Sequence, residues 1–186
     1  QFIDKIDFFA GGFPAKYGDK QSSVMDVTLR EGNYKKYEIE AEANMAGVGI
    51  VAEGPIVKDK SSYMISYKKS FLKYVIKSAG LTAVPEYWNG QTKIVYNFSP
   101  KQKLSFNFIL GEDGISINDE NRPDLHDADH IEASGNQFAT GFTYKSLFSE
   151  KGYYELTLGR NQSAWDSYVY NKIENIKDIY VRRDNV

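Results

Sequence analysis

Cysteine is absent from these 186 residues, so neither a disulfide framework nor a thiolate metal site is available. No run of about 18 apolar residues occurs, which excludes a transmembrane helix. A transmembrane barrel is not excluded by that absence, because its strands place apolar residues only at every second position. Charge of one sign is also lacking. Lys and Arg number 23 against 25 Asp and Glu, and the net charge of -2 gives no strong pull toward nucleic acid or an anionic membrane surface. Tryptophan and histidine occur only twice each, whereas 14 Tyr and 11 Phe raise the aromatic share to 15%. Tyrosine-rich chains suit β structure whose side chains meet both water and apolar matter. The chain begins with Gln1 rather than Met and no signal peptide precedes it, so its start reads as a processed end or a cut through something longer.

The dominant pattern is a period of two. Val24, Asp26 and Thr28 alternate with Met25, Val27 and Leu29, and the Glu31-Gly32-Asn33 cluster closes that unit. Beyond Tyr34, the residues Tyr37, Ile39, Ala41, Ala43 and Met45 share one face while Glu38, Glu40, Glu42 and Asn44 share the other, a separation no helix makes. Further alternating runs are expected around 47–56, 62–67, 92–98, 104–110, 137–148 and 154–161, with one more near Ile179 and Val181. Apolar residues Phe71, Leu72, Val75 and Ile76 have helical spacing and predict a short helix inside a loop.

The connections alternate in length. Short polar turns fall at Lys58-Asp59, Ser99-Pro100 and Ser149-Glu150, and longer excursions are expected at 71–90 and 112–132. Short turns on one side with long loops on the other is the pattern of an outer-membrane barrel. A soluble β-sandwich accounts for the same alternation with its apolar face as core. Against the sandwich stand the length of the later strands and the pairing of Phe, Tyr and Leu faces with small polar ones. Tyr63, Tyr96, Phe98, Phe148, Tyr153 and Tyr154 lie beside the short turns, as an aromatic girdle or as ordinary core.

The stretch Phe9-Ala10-Gly11-Gly12-Phe13-Pro14-Ala15-Lys16-Tyr17-Gly18-Asp19 resembles the end of the plug domain in TonB-dependent receptors. The likeness continues through Ser22-Ser23-Val24-Met25-Asp26-Val27-Thr28-Leu29-Arg30-Glu31-Gly32. Downstream, Ala52-Glu53-Gly54-Pro55-Ile56 and Ser66-Tyr67-Lys68-Lys69-Ser70-Phe71-Leu72 are similar to the opening barrel strands. Pro85-Glu86-Tyr87-Trp88 and Tyr96-Asn97-Phe98-Ser99-Pro100-Lys101 resemble the Bacteroidetes-type, SusC-like group. The resemblance implies an all-β fold, part of a plugged antiparallel transmembrane β-barrel of about 22 strands when complete. Residues 1–33 would then be the C-terminal end of the plug, and 34–186 the first seven or eight barrel strands. The plug motif would comprise Gly11, Gly12, Pro14, Tyr17, Gly18, Asp26, Arg30 and Gly32. Gly11, Gly12 and Gly18 would supply backbone freedom at tight turns. Arg30 and the neighbouring acids would pair across the plug–barrel boundary, unless each is a solvated surface charge.

By the same resemblance the expected function is TonB-dependent import of a siderophore, glycan or peptide across the bacterial outer membrane. The implied partners are the TonB energy-coupling complex, a SusD-like surface lipoprotein and outer-membrane lipid. Tyr87, Trp88 and the loop from Asp119 to His130 would lie on the side where ligand arrives. A receptor-like barrel with a structural or interaction role, or a soluble β-sandwich binding domain, remains open beside it. Catalysis is not expected: no Gly-x-Ser-x-Gly elbow occurs, and Gly11-Gly12 is not followed by the Lys-Ser/Thr of a phosphate loop. Asp119, Glu120, Asp124, Asp127 and Asp129, with His126 and His130, offer hard ligands, but their spacing fits no EF-hand loop and a solvated loop explains them equally. No metal and no cofactor is assigned.

Overall fold

The computed structural model describes residues 2–18, 22–72, 83–118, 129–171 and 176–185, and all ten of its elements are β-strands. Two form a small sheet of their own: β1 (Ile3–Ala10) pairs antiparallel with β2 (Ser23–Leu29). Gly11 adopts φ 77°, where a side chain is strained, and its N–H bonds the Ser22 carbonyl at 3.1 Å to close the first turn. Gly12 and Gly18 are not in the left-handed region, so the need for glycine freedom falls on Gly11.

The other eight strands make one antiparallel meander in sequence order. They are β3 (Glu38–Asn44), β4 (Gly47–Val57), β5 (Ser61–Ser70), β6 (Ala83–Ser99), β7 (Gln102–Asn118), β8 (Asp129–Leu147), β9 (Tyr153–Asn171) and β10 (Ile176–Asn185). Short turns join β4 to β5, β6 to β7 and β8 to β9, as the sequence predicts. The β4–β5 turn places Asp59 at φ 62° and ties its N–H to the Tyr34 carbonyl.

Two expectations need correction. The excursion placed at 71–90 is already strand from Ala83, and the one placed at 112–132 is strand as far as Asn118 and again from Asp129. Glu112-Asp113-Gly114 and Ala133-Ser134-Gly135-Asn136 look like loop because both faces there are polar or small. Their backbone groups nevertheless pair in register, as Asp113 with Gly135. Propensity failed because the ladder of a long hairpin carries residues that would not form a strand alone. The helix expected at 71–76 lies outside the described residues beyond Leu72.

Alternation assigns each strand residue of the large sheet to one of two faces. One face carries Ile39, Ala41, Ile50, Tyr63, Ile65, Ile94, Phe106, Phe108, Phe138, Phe142, Leu156 and Leu158. The other carries Glu40, Glu53, Ser62, Ser66, Lys93, Asn97, Lys103, Ser105, Asn107, Thr143, Lys145, Glu155 and Thr157. The small sheet sits on the second, polar face. Phe2 and Leu29 pack there against Val51 and Met64, the last fully buried, and this is the core of the described residues. The apolar face is left bare: Ile39 is 76% exposed, Phe142 52% and Leu158 67%.

Candidate functional site

The segment 29–34 leaves the small sheet and crosses the polar face to reach β3, and two ion pairs tie it to the large sheet. Arg30 forks onto Glu53 of β4, with nitrogens 2.8 and 2.6 Å from the two carboxylate oxygens. The same carboxylate accepts the Asn33 backbone N–H at 2.8 Å. A bidentate guanidinium–carboxylate pair of this kind fixes orientation as well as charge. Glu53's hydrogen bonds hold the Arg30 pKa above its ordinary value. The expected pairing of Arg30 with an acid is made by Glu53, distant in sequence, and Arg30 also donates to the Glu31 backbone carbonyl at 3.3 Å.

Glu31 turns the other way, to Lys103 of β7 at 2.7 Å, and also accepts the Tyr34 hydroxyl. Tyr34 in turn accepts from the Asn97 amide at 3.2 Å, and Lys93 of β6 donates to the Leu29 carbonyl. Strands β4, β6 and β7 thus all hold one six-residue segment. Gly32 is buried in the middle of it, and a Cβ there would stand 2.2 Å from the Tyr63 carbonyl oxygen. Glycine is required at this position by close approach of two backbones. Asn33 then starts the turn into β3, its side-chain oxygen accepting from the N–H groups of Lys35 and Lys36 at 2.8 and 3.0 Å.

Burial pushes the Glu31 carboxyl up, but the Lys103 ammonium and the Tyr34 hydroxyl outweigh it and leave the pKa below the ordinary value of 4.5. A depressed folded pKa means the contact contributes fully above the unfolded value and is lost as pH falls through the lower folded one. Acidification below about pH 4.5 is therefore expected to loosen the junction. Hydrogen exchange at the Arg30 amide checks this: Lys103→Met should move the onset of loss to higher pH, and an unchanged onset would refute the assignment.

The remaining motif residues serve the small sheet. Tyr17 donates its hydroxyl to Asp26, Lys16 reaches the same carboxylate at 3.4 Å, and the Pro14 carbonyl accepts the Tyr17 N–H at 3.1 Å. The Tyr17 bond holds the Asp26 pKa below its ordinary value. Tyr87 and Trp88 part company: Tyr87 is on the polar face, whereas Trp88 is on the apolar face against Tyr67, with ring centroids 6.1 Å apart and its indole N–H 3.1 Å from Glu112. Asp119, Glu120, Asp124, His126 and Asp127 lie outside the described residues, and Asp129 and His130 are described by backbone alone. Among the described residues no group of three or more candidate metal ligands occurs.

Aromatics of the apolar face follow the register. Tyr63, Ile94, Phe106, Phe142 and Leu158 stand opposite one another in a single row across β5 to β9. Relative to that row Tyr96 and Tyr144 stand two residues nearer the short turns, and Tyr154 four. Tyr96 and Phe98 lie 4.8 Å apart, and Tyr144 and Tyr154 6.0 Å. Of the aromatics expected to be grouped beside the short turns, Tyr153 falls on the opposite face, under the Lys145 ammonium at 4.6 Å, and Phe148 sits in the turn over Gly152. Glu53, Lys93 and Lys103 were missed as partners from sequence because cross-strand register, not local spacing, brings them to the junction.

Compared with protein-family models, with curated proteins and with solved structures, the chain gives no match.

Proposed function

We propose that the large sheet is a segment of wall in an outer-membrane β-barrel, that β1–β2 and the junction are the end of a plug held against its lumenal face, and that the barrel is a TonB-dependent importer. One observation carries the reading: the sheet is inside-out for a water-soluble protein. Charged and small residues of its polar face, among them Glu53, Ser62 and Ser66, are buried where the small sheet bonds to that face, whereas Ile39, Ile50, Phe142, Leu156 and Leu158 on the other face are exposed. In water such a face is an association liability; in lipid it is the face that belongs outside.

The aromatic register supports the same reading. From β5 to β9 the tyrosine level slips by four residues over four strand steps, an average of one residue per strand. At about 3.3 Å per residue and about 4.8 Å between strands this is a tilt of about 35°, in the range that closes a barrel. Above the level of Trp88 the face that was apolar turns polar, with Glu86, Gly114, Ser134 and Asp166, while Ile115, Ile117, Ile131 and Val169 fall on the other face. Strands β6 to β9, at 17 to 19 residues, are about twice as long as a tilted crossing needs. Their upper halves would stand outside the membrane, with Tyr87 facing the path of an incoming nutrient. Energy coupling through TonB and a SusD-like surface lipoprotein belong to this proposal through the sequence resemblance alone.

The test exploits the absence of cysteine. Single cysteines at residues 103–110 of the full-length protein, carrying an environment-sensitive fluorophore in vesicles of brominated lipid, are expected to be quenched at 104, 106, 108 and 110 only. Quenching without alternation, or none, would overturn the membrane reading and favour a soluble β domain.

A further inference from the structure

The apolar face contains a cation where hydrocarbon alone would be a poor neighbour. Arg160 of β9 lies on the outward face two residues beyond Leu158, and its guanidinium stands over the Phe138 ring, 5.7 Å from the centroid. With a slip of one residue per strand, Arg160 comes to within about 3 Å of the level of Trp88 and Phe138, the upper aromatic edge of the band. Lys69 of β5 reaches that level on the other side of Trp88. Between the two cations Trp88, Leu110, Glu112, Asn136, Phe138 and Gln162 border a shallow hollow of about 280 Å³. Its floor is apolar and its upper rim carries two amides and a carboxylate already accepting from the Trp88 indole.

We infer that this hollow binds the headgroup of a phosphate-bearing glycolipid of the outer leaflet, with Arg160 on the phosphate, Asn136 and Gln162 on sugar hydroxyls, and Leu110 and Phe138 against the first acyl carbons. The inference rests on the membrane reading above. A cation on the lipid face is costly at mid-bilayer and nearly free of cost at the interface, where it snorkels to a phosphate. Arg160 stacked on an aromatic at the band's edge is placed for the second condition. The rim supplies donors and acceptors in the pairing that a phosphorylated sugar offers, whereas a plain acyl surface would leave Asn136 and Gln162 without partners.

The experiment uses the full-length protein in detergent, titrated with lipid A, phosphatidylglycerol, phosphatidylethanolamine and inorganic phosphate, with bound lipid counted by native mass spectrometry. Lipid A is expected to be retained over phosphatidylethanolamine, and Arg160→Gln to weaken that retention by about fivefold while Lys145→Gln, on the other face, leaves it unchanged. Retention of lipid A unaltered in Arg160→Gln overturns the site. Displacement of lipid A by inorganic phosphate, or a preference for phosphatidylglycerol, overturns the glycolipid as its occupant. Cross-linking of a cysteine at 162 to a second polypeptide in native membranes would mean that protein covers this wall, and would overturn it too. Alternating quenching along β7 with no effect of Arg160 would sink this inference and leave the membrane reading standing.

Discussion

Phe142→Arg is expected to destabilise the folded protein in a bilayer by about 2–4 kcal/mol, while Thr143→Arg next to it costs far less. The two residues are neighbours on β8, with almost the same distance from the short turn, and differ in the face they occupy. Phe142 packs against Phe106, ring centroids 4.7 Å apart, and is half exposed on the bare face. Thr143 is on the polar face, sharing a 3.1 Å hydrogen bond with Thr157. In water the expectation reverses: an arginine at an exposed apolar position is tolerated and improves solubility, apart from the loss of one aromatic pair worth about 1 kcal/mol. Folding into vesicles at graded denaturant separates the two cases by sign and by size. A Phe142→Arg protein that inserts as well as wild type would mean that this face never meets hydrocarbon.

How much of this was legible in the sequence differs between the strands and the junction. The period of two from Tyr37 to Met45 and from Leu104 to Leu110 separates the faces correctly, because alternation is a local consequence of the pleat and does not depend on which strand is the neighbour. Strand length was not legible, since Gly114, Ser134 and Gly135 have no strand preference and are held by the ladder on either side. Glu31-Gly32-Asn33 was recognised as closing the first unit, and Arg30 as a residue that would pair with an acid or stay solvated. Which acid it meets depends on β4 lying beneath the junction, and 23 residues separate Arg30 from Glu53. Lys103 is 72 residues from Glu31 and reads on its own as one more solvated lysine on an alternating strand. Trp165 lies across Gly135, a pairing set by the β8–β9 register alone.

Glu53→Ala should release the junction more than any other single change on it. Glu53 is 8% exposed and accepts three hydrogen bonds: two from Arg30 and one from the Asn33 backbone. Truncation removes all three and takes the bidentate carboxylate from a half-buried guanidinium; breaking a buried pair costs about 3–5 kcal/mol. Arg30 keeps some hydration, its side chain being 31% exposed, so the lower figure applies. A loss of about 3 kcal/mol corresponds to roughly hundredfold faster exchange of the Arg30 amide, which bonds the Phe2 carbonyl at 2.9 Å. Glu53→Gln keeps an acceptor and should lose much less. The double variant Arg30→Ala/Glu53→Ala should recover part of the loss, because the charge that lost its bidentate carboxylate is gone, and the coupling measured by the full cycle isolates the pair. Lys103→Met is the comparison: its ion pair is 41% and 32% exposed at the two ends, and a more solvated pair contributes less. Equal effects of Glu53→Ala and Lys103→Met would mean that the junction is held by packing of Phe2 and Leu29 on Val51 and Met64, with the ion pairs only following the backbone.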